Sequence, residues 1–173
     1  MAIPGPGKTT GWAESFERLA RLIPGLGRYQ DREGLREADK QVRTYLAELI
    51  AELGRTVEGA ERRLTEAGRL ERLPALDRVV RLIGTLADRI RYASYGFAGV
   101  FDLHKIRESE LTALHRFDLN LVEAVPRLRT PIQALADAAA DDATFPRALQ
   151  AVETAIQEFE QTLVERDRLA RGL

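Results

Sequence analysis

Hydrophobic residues recur along most of this chain at intervals of three and four positions, which is the period of an amphipathic helix. The clearest run begins at Val42 and ends at Ala67, with successive steps of 4, 3, 4, 4, 3, 4 and 3 residues. A stripe with a mean step of about 3.6 residues packs against other helices along its whole length. No alternating apolar and polar run is long enough for a strand. The pattern therefore predicts an all-α protein.

Five helices are predicted from this periodicity and from the residues that interrupt it. Proline favours the first turn of a helix, and glycine favours the position just after its end. We expect Asp31 to cap the second helix and Gly68 to end it. The predicted ranges are Trp12–Ile23, Asp31–Ala67, Pro74–Val100, a fourth helix with apolar positions from Leu111 to Leu135, and a last helix from Phe145 to Leu163.

The four long helices predict an antiparallel bundle in up-down-up-down order, with the short helix Trp12–Ile23 as an accessory. Closure of the same apolar seams between two chains remains an alternative. Pro126 and Pro131 lie inside the fourth helical pattern. Because each proline removes a backbone donor and crowds the preceding turn, we expect a kink or a break there. A separate break is predicted at 102–107, between the third and fourth helices.

Composition favours one helical domain over 12–173, preceded by a flexible tail over 1–11 that is rich in Pro and Gly. At 173 residues and 45% hydrophobic content, the chain is long enough to bury its own core. It contains no Cys, and its longest apolar runs are only a few residues. We therefore expect no disulfide, no signal peptide and no membrane-spanning helix, and we predict a cytoplasmic location.

Charge argues against a nucleic-acid partner. The chain has 26 basic and 27 acidic residues, which leave a net charge of −1. Proteins that bind nucleic acid normally carry a basic excess, because phosphate neutralisation supplies much of their affinity. We expect no nucleic-acid binding.

Two segments resemble a group of uncharacterised bacterial all-helical proteins of unknown function. They are Ile23-Pro-Gly-Leu-Gly-Arg-Tyr-Gln-Asp-Arg-Glu, followed by Arg36-Glu-Ala-Asp-Lys, and Arg91-Tyr-Ala-Ser-Tyr-Gly-Phe-Ala-Gly-Val-Phe-Asp. The resemblance covers most of the chain from Ile23 onward. It implies a bacterial cytoplasmic origin, and it attaches no activity or site residue to the chain.

A phosphate-loop pattern at Ala2–Thr9 is interpreted as accidental. A phosphate loop joins a buried strand to a helix, and its backbone N–H groups hold the phosphates. In this sequence no strand precedes the loop, and Pro4 and Pro6 remove two donors. We expect no nucleotide cofactor and no response to Lys8→Ala.

Metal and covalent chemistry also lack their usual residues. Di-iron bundles need Glu-x-x-His on two helices, but Phe101 precedes His104 and Thr112 precedes His115 at that spacing. There is no Cys nucleophile and no Gly-x-Ser-x-Gly turn. We therefore predict no catalytic residue, no bound metal and no cofactor, although an enzyme without a recognisable motif remains an alternative.

Four arginines surround the predicted turn between the second and third helices. Glu61, Glu66 and Glu71 alternate with them, so we expect a solvated, salt-bridged turn and not a phosphate or lipid site. The arginines are Arg62, Arg63, Arg69 and Arg72.

The end of the third helical pattern predicts an interaction surface. At 100° per residue, a set of apolar and glycine positions lies roughly 120–180° away from the core face if the helix continues that far. These positions form an outward ledge: Tyr92, Tyr95, Gly96, Gly99 and Leu103. We expect the chain's own Trp12–Ile23 helix, through Trp12 and Phe16, to cover the ledge; a second subunit, a protein partner and simple exposure of the ledge are the alternatives.

The sequence thus predicts a non-enzymatic interaction or scaffold protein that binds itself or a protein partner through helical surfaces. No small-molecule ligand is evident. The rival class is a peripheral membrane protein whose Trp12–Ile23 helix lies on lipid. The two Glu and two Arg of that helix cancel, whereas membrane-surface helices are usually basic.

Overall fold

The fold is described by a computed structural model that covers residues 11–28, 35–93 and 108–170. Within these ranges the protein contains α-helices and one short 3-10 turn at Leu26–Arg28, and no strand. The helices are α1 Gly11–Leu22, α2 Leu35–Glu66, α3 Leu73–Arg91, α4 Glu108–Ala138 and α5 Phe145–Ala170. The all-α prediction is confirmed, as is the short accessory helix. The predicted cap at Asp31, the tail over 1–10 and the phosphate-loop pattern lie outside the described residues.

The long helices form two antiparallel hairpins, α2 with α3 and α4 with α5. The hairpins pack so that α2 lies beside α4 and α3 lies beside α5. Both of these cross-hairpin pairs are parallel, because Arg78 and Arg89 of α3 pair with Glu153 and Glu160 of α5 in the same order. The order around the bundle is α2, α3, α5, α4, which places α3 and α4 diagonally. The predicted helical bundle is confirmed, and its two hairpins are antiparallel as predicted, but the neighbours across the hairpins are parallel because α3 and α4 are not adjacent.

The core fills the space between the hairpins with aliphatic side chains. Leu46 and Ile50 of α2 and Ile83 of α3 are almost completely inaccessible to solvent. From the second hairpin, α4 contributes Leu121, Ile132 and Leu135, and α5 contributes Val152 and Leu163. Burial of these side chains is the main force that holds the amphipathic helices together.

The turn between α2 and α3 has the geometry that glycine favours. Gly68 has a φ of 68°, in the left-handed region. Its N–H donates to the carbonyl of Thr65 at 3.0 Å, and the N–H of Arg69 donates to that of Leu64 at 2.8 Å. This is the Schellman arrangement, which satisfies carbonyls at the end of a helix. Gly68 as the end signal is confirmed, and so is Pro74 in the first turn of α3.

The third helix is shorter than predicted. It ends at Arg91 and not near Val100, and Tyr92 and Ala93 follow outside the helix. Arg43 of α2 gives the physical reason, because its Nη1 donates to the carbonyls of Arg91 at 3.0 Å and Ala93 at 2.9 Å. Those carbonyls would accept backbone N–H groups of the next turn in a continuing helix.

The fourth helix runs through both prolines, so the predicted alternative of a break is wrong. Pro126 and Pro131 lie inside α4, which is continuous from Glu108 to Ala138. The Pro126 ring is exposed and Pro131 is only partly buried. A proline on the outer side of a helix leaves the carbonyl that loses its backbone donor within reach of water. Hydration of that carbonyl lowers the free-energy cost of the proline.

The accessory helix α1 packs against α4. Its apolar face is buried there, with Leu19 and Ile23 almost fully inaccessible and Phe16 6% exposed. Arg18 pairs with Glu123 of α4 at 2.5 Å beside this contact. Tyr92 is the part of the ledge after α3 that the structure describes. It is exposed, so α1, contrary to expectation, does not cover the ledge at this residue.

Candidate functional site

A group of ionised side chains lies buried near one end of the bundle. Arg166 of α5 donates from Nε to Asp118 of α4 and from Nη2 to Asp39 of α2, both at 2.6 Å. The second oxygen of Asp39 accepts from Nε of Arg43 at 2.9 Å. Their side chains are between 3% and 11% exposed. We call these four residues the buried charge network.

The network is electrically balanced. Two carboxylates face two guanidinium groups, and Nη1 of Arg43 also donates to the carbonyls at the end of α3. Burial by itself lowers the pKa of Arg166, but the charges of Asp118 and Asp39 and their hydrogen bonds more than offset it, so its pKa lies above the ordinary value. Arg166 is thereby held in its charged form, an arrangement suited to a structural role.

The arginines of the α2–α3 turn bind the end of α4. Arg63 donates to the carbonyl of Ala136 at 3.2 Å, Arg69 to that of Ala140 at 2.7 Å, and Arg72 to that of Ala139 at 2.6 Å. The last carbonyls of a helix lack partners inside it and carry partial negative charge, so these arginines satisfy both needs.

Arg72 corrects the prediction of a solvated turn. It is 9% exposed, its guanidinium lies 4.7 Å from the centre of the Phe145 ring, and it pairs with Asp142. Arg62 is exposed, as predicted for that residue. The salt-bridged character of the turn is confirmed by Arg69, which pairs with Glu71 at 3.7 Å and with Asp142 at 3.4 Å. Because these arginines already have protein partners, the turn does not offer a free phosphate site.

Large hydrophobic side chains are exposed at four of the described positions, and three lie at the same end of the bundle. Leu22 ends α1, Tyr92 follows α3, and Val164 precedes Arg166 of the buried charge network by two residues. The fourth, Leu70, lies in the α2–α3 turn at the opposite end. We call these the Tyr92 end and the Leu70 end. Tyr92 is the most exposed of the four, at 74%.

A shallow groove of about 430 Å³ lies on α2 near the Tyr92 end. The side chain of Arg91 forms one wall, which places the groove directly before Tyr92 in the chain. Tyr45 and Leu49 are half-buried, so they present part of their apolar surface to it. The remaining lining residues are Glu48, Ala51, Glu52 and Arg55. An amphipathic surface of this kind suits a protein segment better than a small anion or a metal ion.

The structure describes only part of the predicted ledge. Tyr92 points away from the core and is 74% exposed, so α1, contrary to expectation, does not cover it, whereas Tyr95, Gly96, Gly99 and Leu103 lie outside the described residues. From the predicted covering helix, Phe16 is buried against α4 and the side chain of Trp12 lies outside the described part. Of the two histidines, His104 and the side chain of His115 also lie outside it.

Sequence reasoning missed the buried charge network and the groove. The one available signal was that Asp39 and Arg43 stand within the apolar stripe of α2, between Ala38 and Leu46. A charged pair four residues apart also occurs freely on exposed helix faces. Spacing alone therefore does not distinguish a buried pair from a solvated one.

Membrane-spanning helices and clusters of metal-ligating side chains are both absent from the described residues. None of the helices in 11–28, 35–93 and 108–170 is long and apolar enough to span a membrane. In the same ranges, no group of three or more His, Cys, Asp or Glu residues is placed to hold a metal ion. Pairing of the acidic residues with arginine, as in the buried charge network, is the arrangement observed instead.

Comparison with known proteins identifies no relative of this chain. No protein-family model, curated protein or solved structure gives a significant match to the chain. The resemblance to uncharacterised bacterial helical proteins stays a prediction.

Proposed function

We propose that the chain is a non-enzymatic interaction protein that binds a protein partner, or a second copy of itself, through the Tyr92 end of its bundle. The observation that supports this most directly is the 74% exposure of Tyr92 beside the groove on α2. Tyrosine provides a large apolar surface with a polar tip, and it is enriched among the residues that dominate binding energy at protein interfaces.

The hydrogen bonds that hold the backbone around Tyr92 support the same proposal. Arg43 holds the carbonyls on either side of it, those of Arg91 and Ala93, and Arg43 is itself fixed by Asp39. The backbone at Tyr92 is thus tied to the buried charge network. A binding residue whose backbone is already ordered loses less conformational freedom when it engages a partner.

The groove supplies the features expected around such an anchor. Tyr45 and Leu49 provide apolar contact, while Glu48, Glu52 and Arg55 provide charges of both signs. Mixed charges at the rim of an interface favour one orientation of one partner and contribute more to specificity than to affinity. A helix with an apolar stripe flanked by both signs of charge is the type of ligand that fits this groove.

The membrane alternative receives less support from the packing of α1. Its apolar side chains Phe16, Leu19 and Ile23 lie against α4 and not on the outer surface. Insertion of this face into a lipid surface requires α1 to leave α4 and to expose that contact to water. Flotation with anionic vesicles is the measurement that distinguishes the two classes.

The proposal is tested with Tyr92→Glu and a matched control, Leu70→Glu, which places the same charge at an exposed hydrophobic position of the opposite end. Self-association is measured by sedimentation velocity over a range of concentrations. Partners are captured from the native host on each immobilised protein and quantified by mass spectrometry. Circular dichroism confirms that all three proteins have the same helix content.

We expect Tyr92→Glu to weaken the association tenfold or more, which corresponds to about 1.4 kcal/mol, and Leu70→Glu to bind like the parent. Equal binding by Tyr92→Glu and the parent contradicts the proposal. Loss of binding in Leu70→Glu alone would locate the interface at the Leu70 end, and this result would also contradict the proposal.

A further inference from the structure

The buried charge network is unusual because four ions lie together in a bundle interior that is mostly apolar. Its members come from three helices, with Asp39 and Arg43 in α2, Asp118 in α4 and Arg166 in α5. The Asp39–Arg166 pair is the link that joins one hairpin to the other through the interior. Removing four ions from water costs free energy that their mutual attraction only partly returns. Well-packed apolar side chains at the same positions would avoid that cost.

The apolar pattern alone leaves the alignment of the two hairpins weakly determined. The stripes of α2 and α5 consist of apolar residues at steps of three and four, mostly aliphatic but with Phe145 and Phe159 in α5. A hairpin that slides along its neighbour by one helical turn, about 5.4 Å, still places apolar side chains against apolar side chains.

The buried charges discriminate strongly against such alternatives. Asp39 and Arg166 come from antiparallel helices, so a slide of one turn in one direction brings Arg166 towards Val42, and a slide in the other direction brings Asp39 towards Leu163. Val42 and Leu163 are each 2% exposed, so the displaced ion would face an apolar side chain. It would keep only the partner in its own hairpin, Asp118 for Arg166 and Arg43 for Asp39. A buried ion that loses one of its charged partners costs more free energy than one that keeps both.

We propose that the buried charge network is an alignment device, which selects one register of the two hairpins and is not a net source of folding stability. A single buried polar residue fixes register in coiled coils by the same principle. The inference does not rest on the proposed binding function, because its test measures hairpin alignment and stability and not binding.

The test variant is Asp118→Leu with Arg166→Met, which removes the link to α5 and leaves the Asp39–Arg43 pair balanced. A second variant adds Asp39→Leu and Arg43→Met, so that no buried charge of the network remains. The control changes four core residues without touching charge: Leu46→Met, Ile83→Leu, Ile132→Leu and Leu163→Met. The chain has no native cysteine, so spin labels are attached through Thr85→Cys in α3 and Gln150→Cys in α5, both at exposed positions of different hairpins and offset along the bundle axis, so that a slide changes the distance between them.

Two quantities are measured for each protein: the distance distribution between the labels and the thermal unfolding midpoint. We expect both variants to melt at or above the midpoint of the core-swap control. We also expect them to show a second distance population displaced by about 3 Å or more, because a slide of one turn moves the axially offset labels relative to each other. The parent and the core-swap control should show one population.

The proposal is overturned if both variants keep the single distance population of the parent. It is equally overturned if both variants melt well below the core-swap control, because the network would then be a source of stability. Binding by Tyr92→Glu does not enter either criterion.

Discussion

Arg166 and Asp39 stand 127 residues apart in the chain, yet their side chains meet at 2.6 Å inside the bundle. Arg166 also binds Asp118, and Asp39 also binds Arg43, so no member of the group is buried with only an apolar environment. The same group reaches the end of α3 through Arg43. One set of interior contacts thus connects hairpin alignment with the position of Tyr92.

Removing one partner from the buried charge network should be strongly destabilising. Asp118→Ala leaves Arg166 buried with a single carboxylate, and loss of one partner of a buried ion pair typically costs about 3–5 kcal/mol. The matched control is Asp77→Ala, which breaks the exposed pair with Arg81 and should cost about 0.5 kcal/mol or less. Urea unfolding followed by circular dichroism measures both. Equal stabilities for the two variants contradict the assignment of a buried ion pair.

Arg72 should contribute more to stability than its neighbour Arg62. Arg72 is buried against Phe145 and donates to the carbonyl of Ala139, whereas Arg62 is exposed. We expect Arg72→Ala to lower the free energy of unfolding by about 2 kcal/mol, because a buried carbonyl loses a charged donor. Arg62→Ala should change it by about 0.5 kcal/mol or less. A smaller effect at Arg72 than at Arg62 in the same urea titration contradicts this account of the turn.

Replacement of two glycines by alanine should change the stability of the protein in opposite directions. Gly68 has a φ of 68°, so Gly68→Ala is strained although no atom lies within 4 Å of the added methyl group, and we expect a loss of about 1 kcal/mol. Gly84 lies inside α3 with the same open space, and Gly84→Ala should gain about 1 kcal/mol from helix propensity. Thermal unfolding of both variants measures the signs. Stabilisation by Gly68→Ala would show that the turn does not have this conformation.

Glu61 makes a pH-dependent contribution to the free energy of unfolding of the bundle. Burial, reinforced by the nearby charges of Asp77 and Glu58, raises the pKa of its carboxyl group. A raised folded-state pKa means that this group's contribution to stability is present below the unfolded pKa, about 4.3, and is lost as pH rises through the folded value. Glu61→Gln should therefore be more stable than the parent at pH 7, by about 0.2–0.5 kcal/mol, and equal to it below about pH 4. A difference that grows on acidification would contradict the sign.

The helices were predictable from the sequence because the apolar period of a helix, and the residues that begin or end it, are read over neighbouring positions of the chain. The core stripe from Val42 to Leu64, the glycine at position 68 and the proline at position 74 each act within a turn or two of their own position. The early end of α3 was not predictable in this way. It depends on Arg43, 48 residues away from Arg91, and such a contact leaves no periodic trace in the sequence.

The candidate site was predictable only at Tyr92. Its outward direction follows from 100° per residue counted from the core position Ile83, and the structure agrees with an exposure of 74%. The groove was not predictable, because it needs Arg91 and the outer face of α2 to come together. The position of α1 was also missed, since its apolar face suits any apolar groove and the sequence does not say which helix it meets.

The most direct test of the proposed function is hydroxyl-radical footprinting of the protein with and without its captured partner, or at low and high concentration if it associates with itself. Tyr92, Tyr45 and Leu70 are reactive side chains whose modification is read separately by mass spectrometry. We expect association to protect Tyr92 and Tyr45 several-fold and to leave Leu70 unchanged. Protection of Leu70 with Tyr92 as reactive as in the free protein would contradict the proposal that the Tyr92 end is the binding surface.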